Sequence, residues 1–385
     1  MKFVCGKNEL VDAIHKVGRV ITARTTLPIL NNILLGPVEG GIQLAAYDLK
    51  LAIRTFLPVS GVEAPGIALP SRLFAEIASA LPGDEVTVES DPQTSRARIT
   101  CGRSTYNIHG MPSQEFPSLP ELPGEPTLVI REGTLKEMIR QTEFASAKEE
   151  TRPAMTGTLC LVEDGHFTMV TTDTYRLAAR REPLGKEQKK EAVSIKAIVP
   201  TRAMQEMERL LKGGDEEVQV TFGTNLARFS LGGDSASVGQ PATVLVSNLI
   251  EGHFPDHGQV IQTDWQTRVS VKTKEFEAAL RRVELVAREN ANRVILRIAE
   301  GSMELQAVTQ GVGEGSEEVN VKLEGNPLTV GFNARYLIDA LAVIESEECW
   351  LVLRGSTNPG MIQPVSEMDY KYVLMPVILR EEERR

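Results

Sequence analysis

The sequence predicts an α+β fold of three tandem repeated domains, each with helices on one face of antiparallel sheet. Three observations carry that prediction: a spacing of 125 positions shared by the first two thirds, a pair of amphipathic helical patterns in every third, and short alternating segments between them. Leu10 and Leu135, Pro28 and Pro153, and Asp48 and Asp173 all differ by the same 125 positions. Chance rarely keeps one register over half a domain.

The elements follow in order. In the first third, Asn8-Glu9-Leu10-Val11-Asp12-Ala13-Ile14 opens a helix, followed by Thr26-Leu27-Pro28-Ile29-Leu30 and then Tyr47-Asp48-Leu49. The second third repeats this as Gly133-Thr134-Leu135-Lys136-Glu137-Met138-Ile139, Thr151-Arg152-Pro153-Ala154-Met155 and Thr172-Asp173-Thr174. The last third is looser: Lys274-Glu275-Phe276-Glu277-Ala278-Ala279-Leu280 is its helix, and Gly301-Ser302-Met303-Glu304-Leu305 parallels Gly165-His166-Phe167-Thr168-Met169. A second helix in each third begins at Leu69-Pro70-Ser71-Arg72, Val199-Pro200-Thr201-Arg202 and Phe332-Asn333-Ala334-Arg335. Ser71, Thr201 and Asn333 are N-cap residue types. Leu81-Pro82-Gly83-Asp84 and Lys212-Gly213-Gly214-Asp215 stop the first two of these helices, as glycine does at a C-cap. Segments such as Glu85-Val86-Thr87-Val88-Glu89 and Glu217-Val218-Gln219-Val220-Thr221 alternate and read as strands with one buried face. The proline-rich stretch from Leu119 to Pro126 and the region of Gln262-Thr263-Asp264 divide the chain into domains 1–125, 126–264 and 265–379, with a charged tail at 380–385.

Composition narrows the function classes. The uncharged runs from Thr25 to Val38 and from Ser235 to Ile250 fall short of the roughly 20 apolar residues of a membrane span, and the start lacks the regions of a signal peptide. A cytoplasmic protein is expected. Cys5, Cys101, Cys160 and Cys349 form no C-x-x-C pair and read as buried reduced thiols rather than zinc ligands. A net charge of −10 argues against a protein that coats nucleic acid by neutralising phosphates. It leaves open one that surrounds DNA without gripping it.

Repeated domains stacked head to tail build a superhelix, or a closed ring where the rotation permits. An arc with complementary ends closes by pairing with a second copy, which removes its exposed edge strands. The first helix regions, from Lys7 to Arg24, Thr134 to Arg152 and Lys272 to Arg293, together hold a net +4. Lys16 with Arg19, Lys136 with Arg140, and Arg281 with Arg288 share helical faces. Charge alone reads these as ordinary solvated faces; with the repeats, a weakly positive surface that tracks DNA is the better account.

The residues then resemble a known family, the β subunit of bacterial DNA polymerase III, or β sliding clamp. Four stretches carry the likeness in order: Arg24-Thr25-Thr26-Leu27-Pro28-Ile29-Leu30, Thr172-Asp173-Thr174-Tyr175-Arg176-Leu177, His253-Phe254-Pro255-Asp256 and Tyr372-Val373-Leu374-Met375-Pro376-Val377. The resemblance implies a DNA clamp fold, a head-to-tail homodimeric ring with helices lining the hole, and loading onto double-stranded DNA by an ATP-driven clamp loader. It implies a processivity factor with no catalytic residues and no cofactor, tethering the replicative polymerase and repair polymerases through one peptide pocket per subunit. Carried over by position, that pocket is lined by Met155, Thr172, Thr174, Arg176, Leu177, Pro255, Val260, Val373, Met375, Pro376 and Val377; plain interdomain core is the other reading of these residues. Arg24, Lys148 and Arg152 are the implied DNA contacts. Tyr106 and Ile108, facing Leu285 and Val286, are the implied dimer seam, with internal packing as their other reading. The chain departs from the family at Thr174-Tyr175, often Gly-His, and at Ile378, often basic.

Catalytic chemistry finds little purchase. His253 and His257 have the spacing of a helical metal pair, but Phe254-Pro255 between them favours a turn. Gly311-Val312-Gly313-Glu314-Gly315 lacks the lysine and following helix of a phosphate loop. Asp173 is the nearest candidate for metal chemistry, and its partner Asp48 suggests a structural turn instead. The alternative function is a metal-dependent nuclease built on repeated domains, which requires turnover lost on substitution of one carboxylate.

Overall fold

The computed structural model describes residues 1–22, 27–60, 65–91, 93–149, 151–185, 194–232, 242–261 and 264–380. Among them lie six α-helices, two per third: α1 (Lys7–Gly18), α2 (Ser71–Ala80), α3 (Glu132–Thr142), α4 (Thr201–Leu210), α5 (Thr273–Ala287) and α6 (Ala334–Leu341). In α1 the buried residues are Leu10, Ala13, Ile14 and Val17, the spacing of one helical face.

The repeat is visible in the hydrogen bonding of all three thirds. At the start of each first helix an amide donates to a carbonyl beyond the second helix: Lys7 to Asp84 at 2.7 Å, Glu132 to Glu216 at 2.7 Å and Thr273 to Glu347 at 2.9 Å. Side chains add a second tie. Lys7 Nζ donates to the Leu81 carbonyl, Lys136 Nζ to that of Leu211 at 2.8 Å and Thr273 Oγ1 to that of Ser346 at 2.8 Å. These satisfy carbonyls left open where the second helix ends, so the looser third third keeps the plan although its sequence has drifted.

The expected caps are corrected in part. Asn333 accepts hydrogen bonds from the amides of Arg335 and Tyr336, as an N-cap should. Ser71 and Thr201 instead occupy the first helical position after Pro70 and Pro200, and the buried Thr201 Oγ1 has no hydrogen-bond partner. Proline fixes the entry φ there, displacing the hydroxyl residue one place into the helix.

Every pairing among the strands is antiparallel. A four-stranded sheet holds Lys2–Gly6, Glu85–Asp91, Arg96–Cys101 and Ser104–His109 in that order. By contacts, the chain falls into two compact units, 1–136 with 202–249, and 137–201 with 250–385. In the first, a nine-stranded sheet joins Thr243–Asn248 to Leu51–Pro58, with Ser247 opposite Leu51. In the second, a twelve-stranded sheet joins Arg176–Pro183 to Asp369–Leu374, with Leu177 opposite Val373. The two joins are equivalent under the repeat: the strand after the aspartate turn of one third pairs with the strand that closes the first half-sheet of the next. The compact units therefore cut through the middle third.

The twelve-stranded sheet has two apolar faces. Ala178, Tyr372 and Leu374 point into a core with α5 and α6 residues such as Phe276, Leu280 and Leu337. Leu177, Ala179 and Val373 point the other way, into a cluster with Leu159, Ile198 and Phe254. This is strand alternation at work, and the second cluster underlies the candidate site. The proline-rich stretch is no loose tether: Arg228 donates to the carbonyls of Leu122 and, at 2.9 Å, Gly124. Gly311 and Gly313, at φ 82° and 150°, form a strand turn. The four cysteines are buried and free. No helix among the described residues is long and apolar enough to cross a membrane.

Candidate partner-docking cleft

The site is built on the turn between His166–Thr172 and Arg176–Pro183. Asp173 Oδ1 accepts the amides of Tyr175 at 2.9 Å and Arg176 at 3.0 Å. Thr172 Oγ1 donates to the Arg176 carbonyl at 2.7 Å and accepts the Thr174 amide at 3.2 Å. Thr174 is thereby held at φ 81°, a conformation glycine adopts freely and a β-branched residue adopts at a cost. The family's frequent glycine fits this geometry. Asp173 is a structural turn residue, and no group of three or more metal-ligating side chains is found among the described residues.

Arg176 locks the turn from beneath. Its Nε donates to Asp173 Oδ2 at 3.0 Å, one terminal nitrogen to Asp339 Oδ2 at 2.8 Å and the other to the Phe144 carbonyl at 2.8 Å. The guanidinium lies 4.3 Å from the Tyr336 ring centroid and 5.6 Å from that of Phe144. Its hydrogen bonding is directed inward, so its contribution to the cleft is shape rather than open charge.

Above this turn opens a cleft of about 340 Å³ lined by Arg152, Met155, Thr172, Thr174, Tyr175, Arg176, Leu177, Pro255, Asp256, His257, Val260, Val373, Leu374 and Met375. The structure thus gathers Met155, Thr172, Thr174, Arg176, Leu177, Pro255, Val260, Val373 and Met375 at one place. Pro376 and Val377 follow Met375 directly and are half-buried. The Val377 amide donates to the Gly331 carbonyl at 2.8 Å, which draws the chain away onto the edge of the strand Leu328–Asn333. Tyr175, Asp256, His257 and Leu374 were not anticipated; alternation along Asp369–Leu374 hides Leu374, and the others sit on turns. His253 and His257 lie on no helix: Asp256 Oδ1 accepts the Gly258 amide at 3.1 Å. Burial, opposed by Asp256 and Glu163 and reinforced by Lys196, holds the His257 imidazole below its usual pKa. The floor is apolar, while Tyr175 and Met375 stand exposed at the rim.

Lys148 and Arg152 lie together on a second cleft of about 520 Å³ that shares Arg152, Met155, Thr174, Tyr175 and Arg176 with the first. They belong to an irregular segment around the short Pro153–Thr156 turn, not to a helix. Arg24 lies outside the described residues, as do 381–385 of the tail. Of the seam residues, Tyr106 and Leu285 are exposed, Val286 is half-buried and Ile108 is buried within its own unit at 4%. Ile108 lies on the same strand face as Tyr106 and is covered within its own unit, opposite Ala97, so burial and not strand face separates the two. Val308 and Val312, in the same third as Leu285, are also exposed.

A repeated antiparallel fold with an open apolar cleft beside the aspartate turn has the architecture of a repeat scaffold that offers a peptide-sized docking surface. Family models agree along almost the whole chain: the N-terminal, central and C-terminal domains of the DNA polymerase III beta subunit match residues 1–120, 129–256 and 258–378. The beta sliding clamp of Staphylococcus epidermidis is 29% identical over 388 residues, covering 98% of this chain and 99% of that protein. The DNA polymerase sliding clamp of Bacillus subtilis superposes with a TM-score of 0.90 at 28% identity, covering 99% of this chain and all of that one. A Pseudomonas aeruginosa sliding clamp bound to griselimycin superposes with a TM-score of 0.89 at 27% identity, over 98% of this chain and all of that one. The chain belongs to the DNA polymerase III beta subunit family. It is a DNA sliding clamp of the α+β, three-domain clamp fold, the non-catalytic processivity subunit of the polymerase. No comparison supports the nuclease alternative.

Proposed function

We propose that two copies of the chain close head to tail into a ring around duplex DNA in the cytoplasm, and that each cleft docks one extended segment of a partner. The partners are the replicative polymerase, an ATP-driven clamp loader and repair polymerases, sharing the cleft by exchange. The domains act as 1–125, 126–264 and 265–379.

The pairing rule of the sheets carries the ring. Each half-sheet of the middle third finds a partner in a neighbouring third, which leaves two equivalent edges over: Ser104–His109 at the end of the four-stranded sheet, and the 313–320 stretch of the strand Gly313–Gly325, paired on one side only. Pairing those edges between copies extends the rule and leaves neither open to aggregation. Charge agrees: Arg96, Arg98 and Arg103 lie beside the first edge, and Glu314, Glu317 and Glu318 lie on the second. Tyr106, Leu285, Val286, Val308 and Val312 are the apolar residues available to such a seam.

Docking is supported by the cleft's chemistry. An apolar floor with few polar groups suits Leu or Phe anchors of an extended peptide, and griselimycin, bound by the Pseudomonas relative, is a ready probe. Of the cleft residues, Met375 is 45% exposed, so Met375→Ala removes contact surface without emptying a core. It should weaken griselimycin or a partner peptide by about 1–3 kcal/mol in calorimetry and leave the oligomer unchanged. Light scattering should give twice the chain mass, and loaded protein should stay on nicked circular DNA and leave once that DNA is linearised. A monomer, or equal retention on both DNA forms, would refute the ring; unchanged affinity in Met375→Ala would misplace the docking site.

A further inference from the structure

The turn that shapes the cleft exists twice. Asp48 Oδ1 accepts the amides of Lys50 at 2.9 Å and Leu51 at 2.7 Å, and Leu49 stands at φ 73°, as Thr174 does in the later copy. The join to the next third also matches: the Asn248 amide donates to the Lys50 carbonyl at 2.8 Å, and the Met375 amide to the Tyr175 carbonyl at 2.8 Å. The short turn beside it repeats too, with Leu30 N–H on the Leu27 carbonyl at 3.0 Å and Met155 N–H on that of Arg152 at 2.9 Å. Phe116 and Phe254 are both buried, and each precedes a proline. By this register Leu30 stands for Met155, Ala52 for Leu177, and Val246 for Val373.

Several positions differ, Leu51 for Arg176 and Asn248 for Met375 among them, and one difference bears directly on the space of the cleft. Thr172 in the open cleft is short, and its hydroxyl bonds back to the turn, so its wall recedes. Tyr47 takes that position in the first third. It packs, with Leu34, Met111 and Leu119, against a small cluster of Ile29, Leu30, Ala68 and Phe116, the counterpart of the corner made by Ala154, Ile198 and Phe254 under the open cleft. A latch from outside the turn reinforces the difference. Asp48 Oδ2 is held by Arg202 of α4, which also donates to the Val20 carbonyl at 2.7 Å, whereas Asp173 Oδ2 is held by Arg176 from within its own turn.

We infer that the first third carries a second, closed copy of the docking cleft, in which the Tyr47 ring fills the place that a partner's apolar anchor takes in the open copy. The Tyr47 side chain is thus the filling of the closed copy, and the occupant of the opened copy is the same class of extended apolar peptide. This rests on the docking reading of the open cleft.

The test is the stoichiometry of griselimycin binding by calorimetry, on the full chain, with folding checked by thermal melting. The unaltered chain should bind one equivalent, and Tyr47→Thr two, the second of which survives Met375→Ala. Tyr47→Val, which keeps a strand-forming β-branched residue, serves if the threonine variant does not fold. A folded Tyr47 variant that binds one equivalent, or an unaltered chain that already binds two, overturns the inference. An unaltered chain that binds none overturns the docking reading itself, and with it this one.

Discussion

Replacing Arg176 by methionine tests the architecture of the site most directly. The side chain is 7% exposed and faces Asp173 and Asp339, themselves 15% and 22% exposed. Methionine keeps the apolar stem but leaves Asp173 without its cation, Asp339 with Arg335 alone, and the Phe144 carbonyl without its donor. Breaking a buried pair from one side costs about 3–5 kcal/mol, because the partner charge stays behind. Both carboxylates keep some access to water, which puts the expected loss near the lower bound, about 3 kcal/mol. The equivalent latch in the first unit, Arg202 on Asp48, is 42% exposed on the arginine side, so Arg202→Met should cost about 1 kcal/mol or less.

Urea unfolding followed by tryptophan fluorescence suits the first variant. Both tryptophans of the chain, Trp265 and Trp350, lie in the same compact unit as Arg176, flanking Arg268 at 6.0 and 3.6 Å from the ring centroids. Circular dichroism is needed for Arg202→Met, whose unit has no tryptophan. A loss below about 1 kcal/mol for Arg176→Met would show that the carboxylates find water without rearrangement, and the account of a buried strut would fail. Adding Asp173→Asn should recover part of the loss, since the stranded charge is then gone while its Oδ1 still accepts the amides of Tyr175 and Arg176.

Thr174→Gly should stabilise the chain slightly: relief of about 1–3 kcal/mol of left-handed strain outweighs the roughly 0.5–1 kcal/mol of backbone entropy that glycine gives up, and a lower urea midpoint would contradict the strain. His257, held below the ordinary imidazole pKa by burial, is protonated in the unfolded chain first, so stability should fall as pH drops through about 6.5; His257→Asn should flatten that slope in melting curves between pH 5 and about 7.5. Burial, with Glu9 adding, pushes the Cys5 thiol up to about 12, and burial pushes Cys349 up to about 12 and Cys160 higher still. A disulfide reagent at about pH 8 should find no rapidly reacting thiol until denaturant is added, and fast labelling of the native chain would refute the packing.

The fold was legible because its signals are local and repeated. Leu10 and Leu135, each on the buried face of its helix, and Asp48 and Asp173, each capping a tight turn, show their purpose within a few residues of sequence. The cleft was legible only through positions that keep the family's pattern. The path of the chain at Pro376 and Val377 is set by the distant Gly331 carbonyl, which no local pattern announces. Ile108 shares a strand face with Tyr106, so alternation groups the two and gives no sign that Ile108 is covered within its own unit. The role of Arg176 depends on Asp339, 163 positions away, and such a contact leaves no trace in spacing.

Charge was the least legible feature, because formal counts ignore pairing. The first helix regions hold a net +4 in sequence, yet Lys16 meets Asp12 at 2.7 Å, Arg281 meets Glu277 at 2.7 Å and Arg288 meets Glu284 at 3.8 Å. Arg140 is taken by Glu345, and Lys136 caps the Leu211 carbonyl. Exposed pairs of this kind add little stability. Their effect is on DNA: a cation already facing a carboxylate must give up that partner before it can neutralise a phosphate, so it releases fewer counterions on binding. A clamp needs enough positive potential to stay centred on the duplex and too little grip to stop. On the proposed ring, paired cations on the helices, with Lys148 and Arg152 exposed on an irregular segment beside the docking cleft, would meet both needs and would place the stronger attraction for phosphate near the partner rather than around the whole helical surface.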